Sequence, residues 1–289
     1  MLDASLVVPD PGRSELVVPA PGPGARRWAG APSAQLDVDG TFVIAYRLRD
    51  AAAGLAQNIV ARWAPGRPAT TMCTLDREDF DAYSLERPAI VRLDDGAWRL
   101  YVCCASPSWP ASKQWWIEVL DADDPSAFRD AVPREVFRDD DVALKDPVIR
   151  RRDDRWFAWI CCHPLAERDE EDRMTTALAT SDDGLRWSWQ GDVLAGRPGA
   201  WDARGARLTA ALPDGSATYD GRASKEENFS ERTGIAEPLG GGALRPVGDA
   251  PVATVRYLDV VETPSGYRTF YEHPLPDGSH DLRTELIDR

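Results

Sequence analysis

The chain has 289 residues, 43% hydrophobic and 28% charged, ordinary values for a globular protein able to bury a large core. A net charge of −14 without any dense Lys/Arg patch excludes a nucleic-acid surface, and no apolar run approaches the ~18–20 residues of a membrane span. Eleven Trp residues are many for this length and suit either indole wedges in a β-rich core or an aromatic-lined cleft for a flat ligand.

The N-terminus, Met-Leu-Asp-Ala-Ser, has no basic stretch leading into an apolar one, so no signal peptide is expected and a cytoplasmic location follows. Residues 1–29 are rich in Pro and Gly and read as an extension. Within it, SELVVP at 14–19 predicts a short strand that pairs onto the last sheet and covers its edge. Residues 31–46 then form two strands around Asp39-Gly40, and 57–73 form a second pair.

Residues 86–104, ERPAIVRLDDGAWRLYVCC, and residues 145–162, KDPVIRRRDDRWFAWICC, are copies of one hairpin. They are offset by 59 residues at Pro88/Pro147 and by 58 at Cys103/Cys161, so only the hairpin differs in length. A strand pair at 114–137 lies between them. The acidic segment 166–174 predicts a solvated loop or short helical turn on one rim. Residues 175–190 turn at Asp183-Gly184, where Ser181 and the Asp side chains cap backbone N–H groups and Trp187 packs between sheets. Further hairpins follow at 201–222 on Pro-Asp-Gly, at 233–248 around Gly240–Gly242, and at 257–273 on Pro-Ser-Gly. No long segment carries a 3.6-residue apolar period.

Double hairpins recurring roughly every 55–60 residues predict an all-β fold. It is a five-bladed β-propeller with four-stranded antiparallel blades, occupying 1–289 as one domain. The five cysteines are Cys73 and the adjacent pairs Cys103-Cys104 and Cys161-Cys162. Neighbours in a strand point to opposite faces, so each pair sends one thiol to either side, and an odd count reads as reduced thiols.

In a propeller the inner strands line a central channel, and their ends converge on one face. The inner-strand starts carry Glu86-Arg87, Lys145-Asp146, Asp202 with Arg204, and Arg256 with Asp259, whereas the first unit offers only Ala31-Pro32. Asp before a strand is also a common turn residue, so each acid alone suits a structural role equally well. Several carboxylates around one cavity suit glycosidic-bond chemistry, which needs one protonated and one ionised. The second strands add Arg47, His163, Arg222 and His273, the two histidines at matching blade positions, with Tyr219 along the same cleft. These serve as ligand hydrogen-bonding groups.

The repeat, the Asp-Pro at a strand start and the S-x-DG-x-x-W turn resemble the five-bladed propeller glycoside hydrolases. That group includes the arabinanase/xylosidase, invertase/levanase and mannoside phosphorylase families, and the likeness covers about residues 30–289. The resemblance implies three acids from consecutive blades. Asp146 with Pro147 matches the orienting Asp, Glu86 takes the base or nucleophile role and Asp202 the acid. The sequence departs by having Glu in the first role, Asp in the last and no acid in its first blade. A phosphorylase variant would use Arg87, Arg204, Arg47 and His273 to hold inorganic phosphate. A propeller that only binds a glycan, metabolite or protein is the third reading. The expected partner is a small-molecule or oligosaccharide substrate, and no cofactor is expected: some related propellers hold a structural calcium, but no loop here demands one.

Overall fold

The computed structural model describes residues 7–108, 112–166 and 170–288, so residues 167–169 of the acidic rim segment lie outside the described residues. The described residues form twenty strands and a few short 3-10 turns. Three antiparallel sheets have four strands each. The first comprises β6 (Ala89–Arg92), β7 (Trp98–Ala105), β8 (Trp115–Ala122) and β9 (Arg134–Phe137). The next comprises β10 (Val142–Arg152), β11 (Arg155–Pro164), β12 (Thr175–Ser181) and β13 (Ser188–Ala195). The third comprises β14 (Gly205–Ala211), β15 (Ala217–Arg222), β16 (Arg232–Gly240) and β17 (Ala243–Val247).

The remaining strands make two more four-stranded antiparallel groups. One is β2 (Arg27–Leu36), β3 (Phe42–Asp50), β4 (Leu55–Trp63) and β5 (Thr70–Leu75). The other is β18 (Arg256–Thr263), β19 (Gly266–Pro274), β20 (His280–Asp288) and the N-terminal β1 (Glu15–Val18), which pairs antiparallel with β20. A single parallel pair, Trp28 with His280, joins the two groups. Two carboxylates on β20 bind the N-terminal segment as well: Asp10 donates its N–H to Glu285 and Ala20 to Asp281.

Turn chemistry explains why the hairpins close where they do. Asp39, Asp95, Asp214 and Asp277 each accept a hydrogen bond at Oδ1 from the N–H two residues on. The intervening glycine has φ between 81° and 92° in all four, a region closed to most side chains.

The inner strands of each sheet are buried on both faces, and strand alternation shares their residues between two cores. Ile90, Leu100, Val102 and Cys104 pack with Val43, Val60 and Leu75, whereas Val91, Tyr101 and Cys103 pack with Ile149, Trp156 and Ala158. Cys103 and Cys104 thus point to opposite cores, and all five thiols are buried and unpaired. Among the described residues there are five such clusters, each between consecutive sheets, the last joining β18–β20 to β2–β4. The first strands also touch in circular order, β2 to β6, β6 to β10, β10 to β14, β14 to β18 and β18 back to β2.

Three first strands carry the same bulge. The ladder register slips by one between Gly30 and Ser33, Lys145 and Val148, and Arg256 and Asp259. Inside each slip lies a non-glycine residue in the left-handed region: Ala31 (φ 50°), Asp146 (φ 51°) and Tyr257 (φ 52°). Such strained bulges re-aim side chains at a sheet rim.

Candidate active site

Where the first strands begin and the second strands end, their residues bound a cavity of about 280 Å³. Glu86, Lys145, Arg207 and Arg256 come from the starts, and Arg47, His163 and Arg222 from the ends. Among the described residues, nine Lys and Arg line it against four Asp and Glu. In a chain of net charge −14 this is a local inversion of sign.

Two of the lining carboxylates are buried. Glu86 accepts hydrogen bonds from Arg47 Nη1 at 2.6 Å and Ser84 Oγ at 2.9 Å, with Arg49 at 3.5 Å. Burial alone would raise its pKa, but Lys145, Arg47 and Arg49 outweigh that and hold it at about 2. Glu231, at the end of the loop joining β15 to β16, pairs with Arg222 at 3.2 Å and Arg256 at 2.9 Å. Burial is again overridden, here by Arg256, Arg207 and Arg222, which hold it at about 2. Glu272, fully buried, ties the two together: it accepts from Arg256 at 2.6 Å and Arg47 at 3.4 Å, and pairs with His280 at 2.6 Å. A continuous alternation of charge, Glu86–Arg47–Glu272–Arg256–Glu231, therefore crosses the cavity floor.

Asp146 lies just under this floor, with no exposed surface. It accepts from Arg207 at 2.9 Å, from the Arg87 N–H at 3.3 Å and from the Tyr257 hydroxyl at 3.4 Å. Burial is outweighed by Lys145 and Arg207, so Asp146 sits well below the usual carboxylate range. Arg207 also donates to Asp220 at 2.7 Å and stacks on the Tyr257 ring at 3.8 Å. The Lys145 ammonium stands over Trp115 at 4.7 Å and is 3.6 Å from Asp146, longer than a hydrogen bond. His163 contacts the Glu171 carbonyl through Nδ1 at 3.0 Å. Burial, together with Lys145 and Arg222, lowers its pKa to about 3, so the ring is neutral and Nδ1 carries the donating hydrogen.

The structure divides the residues singled out by sequence into three sets. Glu86, Arg47, His163 and Arg222 line the cavity. Asp146, Arg87 and Asp259 lie beneath it: Arg87 donates to the carbonyls of Pro32 and Thr209, and Asp259 accepts from Arg150 at 2.6 Å and from the Ala34 N–H. Asp202, Tyr219, Arg204 and His273 do not line it. Asp202 is buried between Arg197 and the Tyr219 hydroxyl, which is 2.7 Å away, and Arg204 pairs with Glu170 and Asp172 at the rim.

Two register slips explain these displacements. The position of Lys145 in the third repeat is taken in the fourth by Arg207, opposite Asp220, and not by Asp202 or Arg204. Lys145 pairs with Cys161 and Arg256 with Glu272, so the counterpart of His273 is Cys162, not His163. A slip of one residue moves a side chain to the other face of its sheet. In the first repeat the equivalent residue is Gly30, where a Cβ would lie 2.2 Å from Glu272 Oε2, so the Glu272 carboxylate occupies the space a side chain would fill.

Glu231 had no repeat counterpart to reveal it. Its signal is the charged loop ASKEENFSE, which also brings Lys225, Asn228 and Phe229 to the cavity. Among the described residues no group of three or more His, Cys, Asp and Glu is arranged to hold a metal ion.

No protein-family model matches the chain, and no curated protein matches it by sequence. Solved structures do match. The α-L-arabinofuranosidase from Lactobacillus brevis aligns with a TM-score of 0.67 at 13% identity, over 89% of this chain and 90% of that one. The GH43_1 enzyme from Xanthomonas citri complexed with xylose gives 0.67 at 15%, over 98% and 92%. The β-1,2-mannobiose phosphorylase from Listeria innocua, in its β-1,2-mannobiose complex, gives 0.62 at 11%, over 97% and 93%. The likeness is one of fold: the chain has the all-β propeller architecture found in glycoside hydrolases and mannoside phosphorylases.

Proposed function

We propose that the five four-stranded groups are the blades of one closed propeller, and that the cavity at its rim cleaves a glycosidic bond in a small or oligomeric carbohydrate. The circular contact order and the five inter-sheet cores support the ring. The observation that carries the activity is that two buried carboxylates from non-adjacent sheets, Glu86 and Glu231, open onto one cavity of sugar-ring scale.

Both carboxylates are ionised in the resting site, as a base or nucleophile must be. Glu86, from the β6 sheet, takes that role. The acid must hold a proton at working pH. Glu231 gains one when a bound substrate accepts hydrogen bonds from Arg222 or Arg256 and weakens their hold on it. Asp146 acts from below, fixing Lys145 and Arg207. The basic lining also favours a second reading, phosphorolysis, in which inorganic phosphate held by the cations replaces the protein base. Five buried, unpaired thiols support a reducing compartment.

The test is turnover of a panel of nitrophenyl glycosides, with and without phosphate, by wild type, Glu86→Gln, Glu231→Gln and Asp202→Asn. Loss of a general acid or base costs about 10²–10⁴-fold in rate. The two cavity variants should show that loss while remaining folded, and Asp202→Asn should lose stability but keep its rate. A strict requirement for phosphate selects phosphorolysis. Full turnover by both cavity variants refutes the assignment, and turnover by no enzyme moves the weight to a propeller that only binds its ligand.

A further inference from the structure

The cavity cations are not all spent on protein carboxylates. Arg47 and Arg49 share Glu86, while Arg222 and Arg256 share Glu231. Lys145 lies near both Glu86 and Asp146 but forms a close ion pair only with Asp146, at 3.6 Å, and that carboxylate already accepts from Arg207 and a backbone N–H. At the mouth, Arg26 and Lys225 form no ion pair with any described residue. The wall thus offers hydrogen-bond donors in excess, from the Lys145 floor to the Arg26 and Lys225 rim.

A neutral sugar presents hydroxyls that both donate and accept, and on this wall cationic donors outnumber carboxylate acceptors among the described residues. An oxyanion only accepts. A cavity of about 280 Å³ is at the small end for ligand sites and suits one or two sugar units. Because the whole chain carries −14, anions are repelled at long range, and a locally basic cavity such as this one is where they can still bind.

Resting on the cleavage reading above, we propose that the carbohydrate taken by this cavity is an acidic one, whose own carboxylate or phosphate group is drawn in past the Arg26–Lys225 rim and held by Lys145. An anion there adds negative charge to the cavity that Glu231 also lines, so substrate charge and protonation of the acid become linked.

The test is calorimetric titration with glucuronate, glucose 6-phosphate, glucose and inorganic phosphate. The acidic sugars should bind at least about tenfold tighter than glucose, the size of one charge-assisted hydrogen bond. They should also bind tighter than inorganic phosphate, and the preference should weaken with added salt. Lys145→Gln should remove most of the preference for the acidic sugars over glucose. Since Lys145 belongs to a buried network, Lys225→Gln on the exposed rim is measured beside it and should reduce the preference in part.

Equal affinity for glucose and both acidic sugars overturns the proposal. So does inorganic phosphate binding as tightly as glucose 6-phosphate while glucuronate binds no better than glucose, which assigns the wall to a free oxyanion. The two readings fail separately. Acidic sugars that bind while their glycosides stay uncleaved defeat cleavage alone, and neutral glycosides cleaved without acidic preference defeat this proposal alone.

Discussion

Replacing Gly30 with alanine tests the charge network directly. The new Cβ would lie 2.2 Å from Oε2, 2.4 Å from Cγ and 2.6 Å from Cδ of Glu272, so the side chain must leave its place. Glu272 then loses Arg256, Arg47 and His280 together, and two buried guanidinium groups lose a counter-charge. Overpacking alone costs about 1–3 kcal/mol, and breaking a buried ion pair about 3–5 kcal/mol. The broken ion pairs outweigh the crowding, so the expected loss is about 3–5 kcal/mol, or roughly 5–8 °C in Tm for a domain of this size. Thermal and urea denaturation measure it. The control is the same change in a Glu272→Ala background, where the obstacle is gone and Gly30→Ala should cost less than about 1 kcal/mol. If the single variant loses under ~0.5 kcal/mol, or loses as much with Glu272 absent, Gly30 does not exist to make room for that carboxylate.

Acid should unfold the protein in two stages. Glu86 and Glu231 lie at about 2 in the fold against an ordinary 4.5, so their stabilisation is complete above 4.5 and is lost as pH falls toward 2. His163, at about 3 against 6.5, is protonated first in the unfolded chain and adds a gentler loss from pH 6.5 downward. Each carboxylate is worth at most about 3 kcal/mol, and a urea series from pH 7 to 3 that stays flat to pH 3 contradicts the network. Deleting residues 1–19 should lower Tm and cause concentration-dependent aggregation in light scattering, because β20 loses its partner β1 and becomes an open edge. A monodisperse deletion variant with unchanged Tm would show that β1 is dispensable.

The hairpins were legible because turn chemistry is local. Asp39-Gly40, Asp95-Gly96 and Asp214-Gly215 mark their positions without reference to anything distant. The cavity was only half legible, because its residues are set by register at the rim. Where a proline follows the bulge, as in Lys145-Asp146-Pro147, the count from the turn is right. In the fourth repeat no such proline exists and the hairpin is shorter, so the count from the turn reaches Asp202, whereas Arg207 is the residue that lines the cavity. Glu231 sits on a loop, where no periodicity applies. The equal spacing of His163 and His273 from their prolines concealed a difference of one in pairing.

The centre of this molecule is filled with charge where an apolar plug would be more stable. Arg87 reaches from one sheet to carbonyls on two others, and Asp259 joins Arg150 to the Ala34 backbone. Such contacts fix the first strands against one another below the cavity. They also hold Arg47, Arg207 and Arg256 in place at the floor, each buried and committed to a carboxylate. Donors fixed in this way need little reorganisation when a ligand anion or a developing charge appears among them. The stability given up by burying charge beneath the cavity is therefore the same quantity that pre-forms it, and a variant that fills that layer with apolar side chains should be more stable and bind less.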